Sequence, residues 1–153
     1  MNYEPRIHIV LYQPEIPHNT GAVGRTCVAL AAKLWLVRPL GFQLSEKNLK
    51  RAGLDYWQHL EWETVDNWDD LTQKLETRFF FFSKTATHSL YDASFRQGDA
   101  LVFGRESAGL PDFLLDPTSE HSLKIPIRPQ VRSLNLSCSV AIAGYEFCRQ
   151  TGF

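Results

Sequence analysis

Ile7-His8-Ile9-Val10-Leu11, then a stretch of helical period from Thr20 to Ala32, then Leu34-Trp35-Leu36-Val37: this opening decides the fold class. Two apolar runs of strand length with a helix-length segment between them are the pattern of a parallel βαβ unit. The alternation continues along the chain. Further strands are predicted at Leu60 to Val65, Phe79 to Phe82, Ala100-Leu101-Val102-Phe103 and Leu123-Lys124-Ile125, which makes an α/β, parallel-rich sheet of about six strands with helices on both faces. Ser45 can cap a helix running to about Ala52, and Asp66 or Asn67 one that carries Leu71 and Leu75 on a single face. The last helix runs from about Asn135 to Gln150. Leu136, Val140, Ala143 and Phe147 form one stripe of it and Ser137, Ala141, Gly144 and Cys148 another, so two faces are suited to burial, one on the sheet and one on a second subunit. The four phenylalanines Phe79 to Phe82 read as a fully buried central strand.

The whole of 1–153 fits one domain. With 44% hydrophobic and 22% charged residues the chain has the composition of an ordered globular protein. A net charge of −1 announces no nucleic-acid partner, so contact with phosphates must rest on local clusters such as Lys47, Lys50 and Arg51, or Arg128 and Arg132. Cys27, Cys138 and Cys148 are odd in number and form no CxxC pair, which argues against disulfides and zinc; the five histidines show no ligand spacing, and no metal is expected. The N-terminus lacks the basic and apolar regions of a signal peptide and no apolar run is long enough to span a bilayer, so a cytoplasmic protein without membrane contact is expected.

Three segments can carry chemistry. The first follows the first strand: Pro14-Glu15-Ile16-Pro17-His18-Asn19-Thr20-Gly21, then Arg25. A helix starting at Asn19 or Thr20 would aim free N–H groups at an anion beyond the sheet's carboxyl edge and hold Arg25 on its first or second turn. In the second, the strand Leu101-Val102-Phe103 stops at Gly104, with Glu106 and Gly109 beyond; the spacing is not that of a dinucleotide fingerprint. In the third, Ile125-Pro126-Ile127-Arg128-Pro129 stiffens a loop, and Ser133, Asn135 and Ser137 gather where the last helix begins. Each alone is also readable as an ordinary cap or turn.

In this order, Asn19-x-Gly21-x-x-x-Arg25, Phe103-Gly104-x-Glu106-x-x-Gly109-Leu110 and Ser133-Leu134-Asn135-x-Ser137 followed by Tyr145-Glu146 resemble the three motifs of the SPOUT (SpoU-TrmD) class of RNA methyltransferases. The opening Leu11 to Pro17, the Arg51-Ala52-Gly53-Leu54-Asp55-Tyr56 stretch and the Thr87-His88-Ser89 turn narrow the likeness to the minimal TrmL/YibK-like members, which methylate the 2′-hydroxyl of the tRNA wobble nucleotide. The resemblance implies a trefoil knot in the C-terminal half. It implies S-adenosyl-L-methionine held bent by Phe82, Ser83, Gly104, Ile125, Ile127, Ser133 and Leu134, with S-adenosyl-L-homocysteine as product. It also implies a homodimer whose active site is shared across the interface, so that Arg25 of one subunit approaches the donor bound by the other.

Carried over residue by residue, the likeness gives catalytic roles to Arg25, Glu106, Ser133 and Asn135. It gives RNA contacts to Asn19 and Arg25, RNA binding or dimer packing to Tyr145, and a cytidine or uridine derivative at position 34 of tRNA, leucine tRNA foremost, as substrate; Lys50, Arg51 and Arg132, from the basic clusters, are the expected phosphate contacts. Related enzymes are described as using the matching arginine as the base, but an arginine does not give up its proton in proteins. Positioning of phosphate and hydroxyl by Arg25 is the reading preferred here. Rival readings are methylation at another RNA position and a non-catalytic knotted RNA-binding factor. Three departures stand out. Ala29 to Leu34 lacks the usual glycine before the second strand, Arg105 replaces a proline, and the chain stops at Phe153, before the tail of longer members.

Overall fold

The computed structural model describes residues 4–44 and 55–153. A seven-stranded sheet runs through them: β1 (His8–Tyr12), β2 (Lys33–Val37), β3 (Trp62–Val65), β4 (Phe79–Phe82), β5 (His88–Ser89), β6 (Ala100–Phe103) and β7 (Ser122–Lys124). Their order is β3-β2-β1-β6-β4-β7-β5 and every pairing is parallel. Six of the strands fall within two residues of the segments predicted. The seventh, β5, is two residues long and too short to leave a periodic signal; the sequence suggested only a turn there.

Helices cover both faces. On one lie α1 (Pro17–Leu30) and α3 (Leu136–Thr151), over a core of Ile9, Leu11, Leu34, Leu36, Leu101 and Phe103; on the other lies α2 (Trp68–Lys74), with Leu71 and Leu75 against Val10, Trp35, Val37 and Val102. Successive strand residues alternate between these two clusters because side chains along a strand point to opposite faces. That alternation corrects the reading of Phe79 to Phe82. Phe80 and Phe82 are buried under α1 and α3, while Phe79 and Phe81 are half-buried, covered by the Trp68 ring with centroids 5.3 and 5.8 Å away. The strand is also fifth of seven in the sheet rather than central.

α1 begins earlier than its polar residues suggest. Ile16 is the N-cap with no side-chain hydrogen bond, and Pro17 stands at the first turn, where its missing N–H costs nothing and its φ is already helical. Asn19 and Thr20 are therefore buried inside the first turn rather than capping it, and Arg25 moves to the third turn. Asn67, one of the two caps expected there, caps α2 by accepting from the Asp70 amide, and Asn135, at the expected start of the last helix, caps α3 by accepting from the Ser137 amide. The helix expected from Ser45 to about Ala52 lies outside the described residues.

The second stripe of α3 has a different partner from the one expected. Gly144 faces α1 of the same chain so closely that a Cβ there would lie 2.5 Å from Leu30 Cδ1. This face is consumed within the chain, and the argument from it to a second subunit falls. What α3 leaves exposed is a third stripe, Cys138, Ile142, Tyr145 and Arg149.

The absent glycine before β2 leaves a mark. Ala31 closes α1 at φ 56° and ψ 41°, the left-handed conformation that an L side chain resists and a glycine adopts freely. Ala31→Gly should therefore stabilise the chain by about 0.5–1 kcal/mol, read as an upward shift in the urea midpoint with unchanged slope.

Candidate functional site

Parallel strands place their carboxyl ends side by side, and loops leaving that edge can converge on a ligand. Here the loops after β4, β6 and β7 do so, together with the start of α1. They enclose a cleft of about 630 Å³, within the range usual for small-molecule sites. Asn19, Gly104 and Ser133, one from each motif segment, all line it. So do Phe82, Ser83, Ile125, Ile127 and Leu134, with Glu106 and Asn135.

The wall formed by the β6 loop is shaped by its glycines. Gly104 packs against the returning chain, so that a Cβ on it would stand 2.3 Å from the Gly109 carbonyl carbon; Gly109 itself sits at φ +65°. Arg105 and Gly109 exchange backbone hydrogen bonds of 3.2 and 2.9 Å, and the Arg105 Nε also donates to the Gly109 carbonyl at 3.0 Å. A proline at 105 has no N–H for the first of these bonds, so the departure from the expected motif tightens the turn.

Glu106 is an orienting group. Its carboxylate accepts from the Glu15 amide (3.1 and 3.3 Å) and the Ile16 amide (2.6 Å), which fastens the β6 loop to the start of α1. Asn135 ties the third loop to the first: its Nδ2 donates to the Asn19 Oδ1 at 3.1 Å while its Oδ1 accepts from the Ser137 amide and hydroxyl. The three loops are thus hydrogen-bonded to one another through Glu106, Asn19 and Asn135. Ser133 is exposed at the cleft.

Other predicted residues lie elsewhere. Arg25 is exposed, six residues beyond Asn19 on α1, and does not line this cleft; its guanidinium lies 5.6 Å from the centre of the Tyr56 ring, whose hydroxyl donates to the Gly21 carbonyl at 2.8 Å. Tyr145 is 52% exposed on the outer stripe of α3, and Arg132 is exposed beside Ser133; neither lines the cleft. Lys50 and Arg51 lie outside the described residues.

Two features escaped the sequence reading. Lys84 and Asp112 line the cleft as well, the first just after Phe82 and Ser83 and the second two residues past the end of the second motif. Glu15 returns the favour of Glu106 by holding Ser107, a contact between residues far apart in the chain.

The lining suits a nucleoside ligand. Phe103, Leu110, Leu115 and Leu136 offer apolar walls, and the backbone amides of Gly104, Ile127 and Leu134 carry no backbone partner among the described residues. Among those residues no group of three or more His, Cys, Asp or Glu side chains is gathered as for a metal ion, and no helix is long and apolar enough to cross a membrane.

Residues 6–145 match the SpoU rRNA Methylase family. The chain is 46% identical over 149 residues to the tRNA (cytidine(34)-2′-O)-methyltransferase of Methylovorus glucosotrophus, covering 95% of this chain and 96% of that one. It is 43% identical over 151 residues to the protein of the same name from Saccharophagus degradans, covering 95% and 96%. A solved structure described by the words "Structural insights into the 2-OH methylation of C/U34 on tRNA" superimposes with a TM-score of 0.88 at 50% identity, over 94% of this chain and 95% of that one. An AdoMet-bound rRNA methyltransferase from Sinorhizobium meliloti shares the fold, with a TM-score of 0.82 at 22% identity over 97% of this chain and 61% of that one. Three motif loops closing on one cleft and a family match over most of the length lead to one conclusion: this chain belongs to the SpoU rRNA methylase family.

Proposed function

We propose that this chain transfers a methyl group from S-adenosyl-L-methionine to the ribose 2′-oxygen of nucleotide 34 of tRNA, a cytidine or uridine derivative, with leucine tRNA as substrate. The observation that carries the reading is the convergence of Asn19, Gly104 and Ser133 on one cleft, in a chain whose relatives bear that activity in their names.

Bound in the cleft, the donor supplies an electrophilic methyl group and a neutral leaving group. The chain's part is to place it and to place the ribose. The free amides of Gly104, Ile127 and Leu134 are donors fixed by the fold, and Phe82, Ser83 and Ile125 complete that wall. Glu106 and Asn135 keep the loops at a constant separation, and such fixed geometry is what an in-line displacement requires. Ser133, exposed at the cleft, touches donor or ribose in this reading.

Arg25 stands apart from the cleft of its own chain, so its contribution calls for a second copy. We place a homodimer here, with the exposed stripe of α3 (Ile142 and Tyr145) as part of its contact and Arg25 delivered into the partner's cleft. The tRNA then lies across both subunits, with Arg132 toward it; Asn19, expected to touch RNA, is buried and bonded to Asn135 and serves the cleft instead. A trefoil threading of the chain around α3 belongs to the same reading, as does residence in the cytoplasm, where tRNA is modified.

Arg132→Ala should weaken tRNA binding at every sequence and lower the slope of log Kd against log salt by about 1, because one phosphate contact is lost; filter binding across a salt series reads this directly. The reading as a whole is tested by nucleoside mass spectrometry of tRNA from cells lacking the chain. Loss of one wobble 2′-O-methyl nucleoside supports it. An unchanged nucleoside profile would count against it.

A further inference from the structure

The short segment Pro14–Ile16 is a meeting point of three loops. The Gly41 amide donates to the Pro14 carbonyl at 2.9 Å, and Gly41 lies so close behind that a Cβ there would be 2.7 Å from Glu15 Cα. From the other side Glu106 accepts the Glu15 and Ile16 amides. Glu15 answers with its own carboxylate, which accepts from the Ser107 amide at 2.8 Å and from the Ser107 hydroxyl at 2.8 and 2.9 Å. Each loop thus lends a carboxylate to the other.

The two halves of this exchange act on different parts. Glu106 fastens the root of the β6 loop. Beyond it Ser107, Ala108 and Gly109 form an exposed rim of the cleft, closed on itself by the Arg105 and Gly109 bonds. The bonds that join this rim to the rest of the molecule at Ser107 are those to Glu15. Ser107's amide, and then its hydroxyl, hold the Glu15 carboxyl below the usual carboxylate range, so the acceptor is charged and its hydrogen bonds are of the stronger kind.

We propose that Glu15 is a positioning residue for the methyl donor: its carboxylate fixes Ser107 and thereby the 107–109 rim that closes one side of the donor cleft. The proposal rests on the reading of that cleft as the donor site. Glu15 touches neither donor nor RNA; it acts through Ser107.

The consequence is selective. Glu15→Ala removes both oxygens that accept from Ser107, whereas glutamine would keep one acceptor for the Ser107 amide and donate its NH2 to the Ser107 hydroxyl, which also accepts. The rim loses its anchor while the sheet, α1 and the Glu106 bonds to the backbone remain. The test is titration of the full-length chain with S-adenosyl-L-homocysteine, beside steady-state kinetics with tRNA. For Glu15→Ala the Kd should rise about tenfold, the worth of a hydrogen bond to a charged group, while KM for tRNA stays unchanged. Ser107→Ala keeps the amide bond and should lose about threefold. The double variant should bind no worse than Glu15→Ala by more than the error, because Glu15→Ala has already removed the contact that Ser107→Ala weakens.

Unchanged affinity in Glu15→Ala, or strictly additive losses in the double variant, would overturn the proposal. So would a fall in tRNA affinity equal to that for the homocysteine product, which would mark general unfolding of the site. Should Glu15→Ala fail to fold, Ser107→Ala decides the matter by the same criterion. Failure of the unaltered chain to bind the product is a different result: it removes the donor cleft itself, and this proposal with it.

Discussion

Gly104→Val is expected to abolish measurable binding of S-adenosyl-L-homocysteine, a loss of more than about 100-fold, while the folded chain persists. The atoms that a Cβ at 104 would strike are all backbone: the Gly109 carbonyl carbon at 2.3 Å, the Leu110 amide nitrogen at 2.4 Å and Gly109 Cα at 2.7 Å. No rotamer change relieves such contacts, so the β6 loop must swing open and take the Gly109 and Leu110 wall of the cleft with it. Gly104→Ala should do nearly as much harm as valine, because the first carbon already collides. β6 itself is undisturbed: Phe103 remains stacked on Phe82 with ring centres 4.6 Å apart, inside a closed core. Calorimetric titration checks the binding, and circular dichroism checks the fold. An alanine variant that binds normally would show that the loop gives way without cost.

The second large effect is expected at Arg25. Arg25→Ala should lower kcat by about 100-fold or more, the usual consequence of removing one preorganised donor from a reacting centre, with donor affinity unchanged. The side chain is exposed and absent from the cleft of its own chain, so it has no part in binding the donor there. Its guanidinium rests beside the Tyr56 ring, and Tyr56 is bonded in turn to the Gly21 carbonyl of α1, an arrangement that limits where the arginine can point. If Arg25 positions phosphate and hydroxyl, Arg25→Lys should keep measurable activity, since a cation of similar reach remains. Complete loss in the lysine variant, with donor and tRNA binding intact, would instead favour the proton-abstracting role. Mixing Arg25→Ala subunits with Gly104→Val subunits offers a sharper reading. If the site is shared between subunits as proposed, each variant is nearly inactive alone while a mixed dimer would contain one intact site, and activity should return.

The strands were legible because a buried parallel strand announces itself by composition: β4 and β6 begin and end where their apolar runs do. Helix ends were legible where a side chain does the capping, as at Asn67 and Asn135. α1 was misjudged for the converse reason. Its start is set by Pro17 and by backbone geometry at Ile16, and the polar residues that imitate a cap, Asn19 and Thr20, are turned inward. The half-exposure of Phe79 and Phe81 was hidden because apolarity tells that a strand is covered, not how completely each face is.

The motif residues of the cleft could be named from the sequence, yet their division of labour could not. That Glu106 grips backbone at Glu15 and Ile16 depends on β1 and β6 being neighbours in the sheet, a pairing across some ninety residues. Glu15 itself gave no signal, since a carboxylate in a loop is ordinarily a solvated one. The separation of Arg25 from the cleft is likewise a property of helix phase, invisible until the true start of α1 is known.

The most direct measurement is mass spectrometry of nuclease digests after incubating the purified chain with leucine tRNA and a methyl donor bearing three deuterium atoms. The account predicts a trideuteromethyl group on the ribose 2′-oxygen of nucleotide 34, absent when Gly104→Val replaces the unaltered chain. Label on a base, on the ribose of another nucleotide, or nowhere while the donor product binds with full affinity would contradict it.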